Sequence, residues 1–161
     1  ETVTNSAIQM HGVTTAEEMY KEVHNHFNTV DVAILSAAVS DYKPKTVAQR
    51  KIKKQDDTLV IELEKTKDIL KSLGDKKEHQ ILVGFALETD NELENAKKKL
   101  ATKNLDMIVL NSLQDKGAGF GVSTNKVTFI LASGKVIEGN LKSKAQVAED
   151  IMEQIINQLH A

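Results

Sequence analysis

The chain has 161 residues, of which 40% are hydrophobic and 27% are charged, and its formal net charge is −2. This size and composition predict one globular domain with a real core and exclude a disordered chain. No apolar run approaches the roughly 20 residues that a bilayer requires, so a soluble cytoplasmic protein is expected. Without cysteine, disulfides, thiolate metal sites and cysteine nucleophiles are excluded. The near-neutral charge disfavours a nucleic-acid binder.

The first predicted elements are an amphipathic helix and a buried strand. Residues 16–27 place apolar side chains at helical spacing, and Thr14 with Glu17 has the spacing of a capping box. The continuous apolar run at 31–39 is typical of a strand that helices cover on both faces. A parallel, helix-covered sheet is therefore expected to begin here.

The middle of the chain leaves the predicted core and then returns to it. Residues 42–58 contain the only proline and many charges, which indicates an excursion from the core, and 59–63 alternates like an exposed returning strand. A short helix near 67–73 then ends at Gly74. The apolar run 81–87 predicts a second buried strand.

The last third of the chain adds a charged helix, a third buried strand, a hairpin and a final helix. The helix is predicted over 92–103 and the strand over 107–110. Two strand-like runs flank a turn at Ser133-Gly134. Ser143 and Gln146 are spaced as the capping box of the last helix. Alternating strands and helices with short links are typical of an α/β fold.

Ligands of an open parallel sheet bind at the carboxyl ends of its strands. At the first such end, the small residues Ser36, Ala37 and Ala38 would let a planar ring or a phosphate approach the backbone. Asp41 offers a carboxylate for ribose hydroxyls or a metal ion. Core packing for the alanines and a cap for the aspartate are the plainer alternative, which the residues alone favour.

Lysines gather at two places in the sequence. Lys51, Lys53 and Lys54 stand on the excursion, where mobile point charges suit a polyphosphate. Lys99 and Lys103 are four residues apart on one face of the charged helix, a spacing that destabilises a helix unless an anion balances the charges. A solvated charge run is the alternative for the first group, and it is the more usual explanation of a lysine cluster.

Other familiar motifs are not supported. Residues 115–121, DKGAGFG, lack the glycine spacing and the acidic ribose ligand of a dinucleotide fingerprint, which disfavours an oxidoreductase. His24 and His26 are two residues apart on a helix and cannot form the i, i+4 pair that binds metals, so they are predicted to be surface residues. No metal ligands are assigned.

Five segments stand in order along most of residues 14–150: AAVSDYKPKTVAQRKIKK (37–54), KDIL (67–70), LVGFALET (82–89), AKKKLATKNLDMIVLN (96–111) and GAGFGVSTNKVT (117–128). Together they resemble the phosphopantothenoylcysteine synthetase family of coenzyme A biosynthesis, especially the bacterial form fused behind a flavin-dependent decarboxylase. The resemblance implies a three-layer, Rossmann-like α/β fold with helices on both faces, C-terminal antiparallel strands and a charged flap.

The resemblance also implies a reaction. Members of the family join 4'-phosphopantothenate to cysteine with CTP, through an acyl-cytidylate and with loss of pyrophosphate, and Mg²⁺ accompanies the triphosphate. A homodimer is implied, with a fused or associated decarboxylase. The resemblance makes KIKK a flap over the triphosphate and Lys51 the catalytic lysine that supports formation or turnover of the acyl-cytidylate.

By the same resemblance, cytosine is read near the strand ends at Ala37 and Phe85. The nucleotide contacts that it implies are Ser36, Ala37, Ala38, Asp41, Lys51, Lys54, Lys67, Asp68, Ile69, Phe85, Lys99 and Lys103.

Two departures from the family pattern stand out. Thr66-Lys67 replaces the Asn-Pro that commonly precedes Asp-Ile, and no segment matches the N-terminal strand, glycine-rich turn and SSGKMG-like stretch. Residues 1–161 are therefore expected to be a ligase domain without its first βαβ portion. The alternative is a catalytically incomplete nucleotide-binding domain.

Overall fold

The computed structural model describes residues 5–53, 58–112 and 121–160. Lys54 and residues 115–120 of the glycine-rich segment, both singled out from the sequence, lie outside these ranges. In the described part of the chain, no helix has the length and apolar character needed to cross a membrane.

The chain divides into two compact units. Residues 1–28 and 37–69 form the first, which we call the ribbon unit, and residues 29–36 and 70–161 form the second, the sheet unit. In chain order the elements are α1 (Ala16–Phe27), β1 (Val32–Leu35), β2 (Tyr42–Pro44), β3 (Leu63–Lys65), α2 (Ile69–Gly74), β4 (Ile81–Glu88), α3 (Glu92–Thr102), β5 (Met107–Ser112), β6 (Thr124–Asn125), β7 (Val127–Leu131), β8 (Val136–Glu138), β9 (Lys142–Ser143) and α4 (Lys144–Leu159).

The sheet unit is built on a five-stranded sheet in the order β1-β4-β5-β7-β8. The first three strands of that order are parallel, and β7 and β8 continue the sheet antiparallel. Leu35 pairs with Gly84 and Leu87 pairs with Asn111, so the carboxyl ends of β1, β4 and β5 lie at one edge of the sheet. The predicted parallel core with terminal antiparallel strands is confirmed.

Helices cover both faces of this sheet. On one face, Val83 belongs to a buried apolar cluster that includes Val147, Ile151 and Ile155 of α4. The neighbouring Gly84 points to the opposite face, because side chains alternate along a strand. A Cβ on Gly84 would lie 2.6 Å from Cδ2 of Leu70 in α2. The three-layer arrangement follows from these two contacts.

The C-terminal elements form as the sequence predicts. β7 and β8 pair as a hairpin whose turn contains Gly134 at φ +87°, a backbone conformation that favours glycine. Ser143 Oγ accepts from the backbone N–H of Gln146 at 3.2 Å, and Gln146 Oε1 accepts from the N–H of Ser143 at 3.1 Å. These reciprocal bonds are the predicted capping box of α4.

The capping box of α1 is one residue later than predicted, although the helix itself begins at Ala16 as expected. Thr15, not Thr14, is the N-cap, and its partner is Glu18. The Glu18 carboxylate accepts from the backbone N–H groups of Thr14 and Thr15, which lowers its pKa from the ordinary value. Glu17, the predicted partner, instead accepts from Lys67 at 3.0 Å. The sequence contains two overlapping Thr-x-x-Glu patterns, Thr14 with Glu17 and Thr15 with Glu18. Because Glu17 is bonded to Lys67, the second pattern forms the capping box.

The strand predicted at 59–63 is also wrong in position. The observed strand β3 is Leu63–Lys65, and it pairs antiparallel with β2 in a two-stranded ribbon. Apolar alternation favours a strand at 59–63. The observed strand lies where it pairs with β2, and the sequence analysis does not predict β2. Tyr42 pairs with Lys65, and Pro44 with Leu63.

Candidate functional site

A cavity of about 1060 Å³ lies within the ribbon unit. Its walls are residues 13–17 and 19, 37–40, 42–44 and 47, and 64–67. The first group includes the N-terminus of α1, and the others belong to the ribbon and the segments that flank it. Pockets of this size accommodate small metabolites and cofactors.

Thr66 forms two hydrogen bonds that connect two walls of the cavity. Its backbone N–H donates to the carbonyl of Asp41 at 2.9 Å, and its hydroxyl donates to the carbonyl of Ser40 at 2.6 Å. The segment after β3 is therefore held beside the segment before β2. At a position where the family pattern commonly has asparagine, this chain uses a threonine hydroxyl for the attachment.

Four charged side chains of the cavity walls form two ion pairs. Lys67 Nζ lies 3.0 Å from Glu17 Oε1 and 4.5 Å from the ring centroid of Tyr20. The hydrogen bond from Lys67 lowers the pKa of the Glu17 carboxyl from its ordinary value. Lys43 pairs with Glu64 at 3.3 Å. An anionic ligand that used these lysines would therefore compete with wall carboxylates.

Several of the residues predicted from the sequence lie at or near this cavity. Ala37, Ala38 and Lys67 line it, and the exposed Asp41 stands between the lining residues Ser40 and Tyr42.

Other predicted residues of the ribbon unit are outside the cavity wall. Lys51 is exposed and is not among the lining residues. Asp68 and Ile69 follow the lining residue Lys67, and Ile69 is buried.

The remaining predicted residues belong to the sheet unit. Ser36 directly follows Leu35, which pairs with Gly84, and Phe85 is the next residue of β4, three residues before that strand ends at Glu88. The Phe85 ring is partly buried and packs against the apolar cluster of the core. Packing against the core is therefore the role that these contacts show for the ring.

The two helix lysines are in different environments. Lys99 forms an ion pair with Glu88 at the end of β4. Lys103 is the C-cap of α3, where its backbone N–H donates to the carbonyl of Lys99 at 3.0 Å. The spacing of the two lysines predicts that an anion balances their charges. For Lys99 the anion is the carboxylate of Glu88 in the same chain. An incoming phosphate would therefore compete with Glu88 for the ammonium.

Asn111 is a candidate that the sequence interpretation did not single out. It ends the apolar run of β5, pairs with Leu87 and Val127, and has a buried side-chain oxygen. Within residues 5–53, 58–112 and 121–160, no group hydrogen-bonds to that oxygen. A polar side chain directly after MIVL was the available signal. Its buried amide at the edge of the strand ends is suited to read a polar ligand.

Comparison with known proteins gives a consistent result. The family model described as the DNA/pantothenate metabolism flavoprotein C-terminal domain matches residues 1–159. A cysteine/cysteine sulfinic acid decarboxylase from an unknown prokaryotic organism is 50% identical over 149 residues, which are 92% of this chain and 42% of that protein. The coenzyme A biosynthesis bifunctional protein CoaBC of Bacillus subtilis (strain 168) is 47% identical over 143 residues, 89% of this chain and 35% of that protein.

Among solved structures, the C-terminal domain of a coenzyme A biosynthesis bifunctional protein CoaBC is similar, with a TM-score of 0.76 and 43% identity. The alignment covers 92% of this chain and 64% of that one. The chain thus spans about two fifths or less of the curated relatives named above.

Proposed function

Because this chain belongs to the family of DNA/pantothenate metabolism flavoprotein C-terminal domains, we propose that it is a ligase domain that joins 4'-phosphopantothenate to cysteine with CTP. The relationship to bifunctional coenzyme A biosynthesis proteins, predicted from five ordered segments, is confirmed. That relationship is the observation that carries the proposal. Its reaction, nucleotide and partners are inferred from it.

The proposed reaction has two group transfers. A carboxylate oxygen of 4'-phosphopantothenate attacks the α-phosphorus of CTP, the bond to the bridging oxygen breaks, and pyrophosphate leaves. The cysteine amine then attacks the acyl carbon of the acyl-cytidylate. CMP departs with the electron pair of the broken bond, the amine loses a proton, and an amide forms. Negative charge is spread over the oxygens of the α-phosphate and accumulates on the leaving pyrophosphate in the first step, so positioned cations are the natural catalytic groups.

The ribbon unit has features suited to the polar parts of these substrates. Ala37 and Ala38 allow a ligand to approach the backbone of the cavity wall, and Lys67 supplies an ammonium there. We assign Lys51 the catalytic role, since it stands on an exposed polar segment before the returning strand β3. Lys54, in the same lysine group, is assigned to the triphosphate.

In the sheet unit, the proposal assigns nucleotide contacts to the strand ends and to α3. Backbone groups at Ser36 and Phe85 would read the cytosine edge, and the Asn111 amide is a further candidate for that task. Lys99 and Lys103 would meet phosphate oxygens. Phe85, Asn111 and Lys99 lie on a strand or a helix, whereas Ser36 directly follows β1 and Lys103 is the C-cap of α3. Groups on or next to regular elements favour a preformed contact.

Mg²⁺ in this proposal arrives with the triphosphate. Magnesium sites of this kind use one or two carboxylates together with phosphate oxygens and water. The exposed Asp41 carboxylate, between two cavity-lining residues, fits that role. Its part would be to orient the metal-bound triphosphate.

CTP is expected to bind the complete protein more tightly than ATP in the presence of Mg²⁺. Backbone groups beside small residues suit a pyrimidine, whereas a purine needs more space at the same edge. Titration calorimetry with the two nucleotides measures the difference. In a parallel assay, pyrophosphate release should require 4'-phosphopantothenate, and amide formation should additionally require cysteine.

Two results would contradict the proposal in different ways. Equal affinity for CTP and ATP would contradict the proposed preference for a pyrimidine nucleotide, but it would not contradict the proposed ligase activity. Tight CTP binding without pyrophosphate release in the complete protein would instead support a catalytically incomplete nucleotide-binding domain.

A homodimer is also part of the proposal, and the exposed apolar side chains of the ribbon unit support it. Val60 is 88% exposed. The other large hydrophobic residues exposed on the same excursion are Val47, Ile52, Leu59, Ile61 and Leu63. Apolar side chains gathered on one segment are typical of an interaction surface. A second copy of the same ribbon is the partner that the family relationship favours.

Val60→Glu is expected to shift the protein from dimer to monomer, because a charge would be buried without a partner in the interface. Light scattering coupled to size-exclusion chromatography measures the mass. Ile156→Glu on α4 is the matched control, since Ile156 is 47% exposed but belongs to the sheet unit. A dimer that survives Val60→Glu and dissociates with Ile156→Glu would place the interface elsewhere.

A further inference from the structure

Two histidines and a glutamate meet on one side of α1 in the ribbon unit. Glu22 Oε1 lies 2.7 Å from Nδ1 of His11 and 3.1 Å from Nε2 of His26. The two imidazole rings have centroids 4.6 Å apart. In the described ranges of the chain, this is the one group of three such side chains whose donor atoms lie close enough to share an ion, all within 4.8 Å.

Helical spacing and the preceding segment together produce this arrangement. Glu22 and His26 are four residues apart, so they lie on the same face of α1. His11 comes from the stretch before the helix and folds back onto that face. His26 is exposed, as predicted, but the sequence interpretation compared it only with His24. Its partner one turn earlier is a carboxylate.

The distances suit a small transition metal ion. Ligands about 2.0–2.1 Å from a tetrahedral Zn²⁺ stand about 3.3 Å from each other, close to the separations between Glu22 and the two imidazoles. Two imidazoles and one carboxylate form a donor set that Zn²⁺ accepts, with a fourth position open to water. The side chains are 41%, 33% and 48% exposed for His11, Glu22 and His26, so an ion can enter from solvent.

We propose that His11, Glu22 and His26 form a binding site for a divalent transition metal ion, Zn²⁺ in the first instance. Nothing in the proposed ligase reaction uses these residues, and none of them lines the cavity. The site is therefore separate in chemistry from a Mg²⁺ that travels with a nucleotide. Mg²⁺ prefers oxygen ligands and octahedral geometry, which this donor set does not offer.

Because of where His11 lies in the chain, a bound ion would affect the structure of the ribbon unit. His11 is two residues before Val13, where the first wall of the cavity begins. An ion shared by His11 and α1 would tie the segment that leads into this wall to the helix that follows it. Bound Zn²⁺ is therefore expected to stabilise the folded ribbon unit and to order the wall residues 13–15.

The test begins with complete protein stripped by a chelator and titrated with ZnCl₂ in competition with a chromogenic zinc indicator. One Zn²⁺ per chain is expected. Each of His11→Ala, Glu22→Gln and His26→Ala should lower the affinity by about tenfold or more, since even groups that only orient a ligand contribute that much. His79→Ala is the matched control, because His79 is another exposed histidine near a carboxylate, 3.8 Å from Asp31. It should leave the affinity unchanged.

Cobalt supplies a readout that does not depend on affinity. Co²⁺ with a four-coordinate donor set gives intense visible bands, and six-coordinate Co²⁺ gives weak ones. The bands should appear in the wild-type protein and in His79→Ala but be lost in Glu22→Gln. Zinc binding that is unchanged in all three cluster variants, or weakened as much by His79→Ala, would overturn the proposal. Absence of stoichiometric zinc binding to the wild-type protein would do so as well.

Discussion

Gly74→Ala is expected to cost about 4 kcal/mol or more of the free energy of unfolding, a loss that few single substitutions reach. A Cβ at this position would lie 1.8 Å from the carbonyl oxygen of Lys103 and 2.8 Å from its carbonyl carbon. Both are backbone atoms, so no side-chain rotation relieves the overlap. Either the end of α2 or the end of α3 must move.

The surroundings oppose such a movement. Asn104 adopts φ +52° and donates its side-chain N–H to the carbonyl of Gly74 at 2.8 Å. The Lys103 N–H donates to the carbonyl of Lys99 at 3.0 Å, and the N–H of Leu105 donates to Leu100. Separating the two backbones would break the bond to Gly74 and strain the exit from α3 into β5.

Urea unfolding followed by circular dichroism measures this effect. Gly12→Ala is the matched control, since a Cβ at Gly12 would meet nothing within 4 Å. That variant is expected to change stability by less than about 1 kcal/mol, with a small gain from the restricted unfolded chain. If Gly74→Ala were as stable as Gly12→Ala, the close approach of these two helix ends would be wrong.

The parts of the fold that the sequence predicts best are those with a single dominant physical cause. Runs such as 81–87 are apolar on both faces, so burial between helices fixes them as central strands. The capping box at Ser143 has no competing pattern nearby, and it forms as expected. Where two patterns overlap, as at Thr14 and Thr15, sequence spacing alone does not choose between them.

The ribbon shows why the excursion was harder to predict. Its strands are three residues long, exposed, and paired only with each other. Local propensity is weak at such a length, and the register depends on contacts between residues far apart in the sequence, such as Thr66 with Ser40, which are 26 residues apart. The sequence pattern of residues 59–63 therefore predicted a strand at the wrong place.

Site prediction has the same limits. Composition and spacing pointed to lysines and small strand-end residues, but by themselves they favoured core packing for the small residues and solvation for the lysine cluster, and only the family resemblance favoured a site. Neither source indicated that Glu88 balances Lys99 or that Glu22 joins two histidines. Both arrangements depend on which face of a helix meets which neighbour in space, and for His11 on how a segment without regular structure folds back.

Lys51→Gln in the complete protein is expected to lower kcat by about a hundredfold while changing CTP affinity little, the size of loss seen when one transition-state donor is removed. Lys51 is exposed and lies between β2 and β3, whose antiparallel pairing joins the two ends of the segment that carries it. A lysine so placed can meet a polyphosphate when the segment closes on it. Its charge would then matter most in the transition state, while the α-phosphorus is five-coordinate.

Lys99 provides the contrast, because it stands on a preformed helix and already has an anionic partner in Glu88. Exchange of that partner for a phosphate oxygen would occur on binding, before chemistry. Lys99→Gln should therefore raise the dissociation constant for CTP and leave kcat close to the wild-type value. Lys103→Gln is expected to act in the same direction.

The comparison needs a lysine that shares the ribbon but not the role, and Lys45 is suitable. Its ammonium lies 3.4 Å from Glu62, and both side chains are largely exposed. Loss of so exposed a pair contributes little to stability, so Lys45→Gln should leave both kcat and CTP affinity near the wild-type values. Steady-state rates at saturating CTP, together with calorimetric affinities, separate the three variants. If Lys51→Gln kept the wild-type kcat and only raised the CTP requirement, the lysine would be an electrostatic tether for the nucleotide, because a group that acts on the transition state alone cannot leave turnover unchanged.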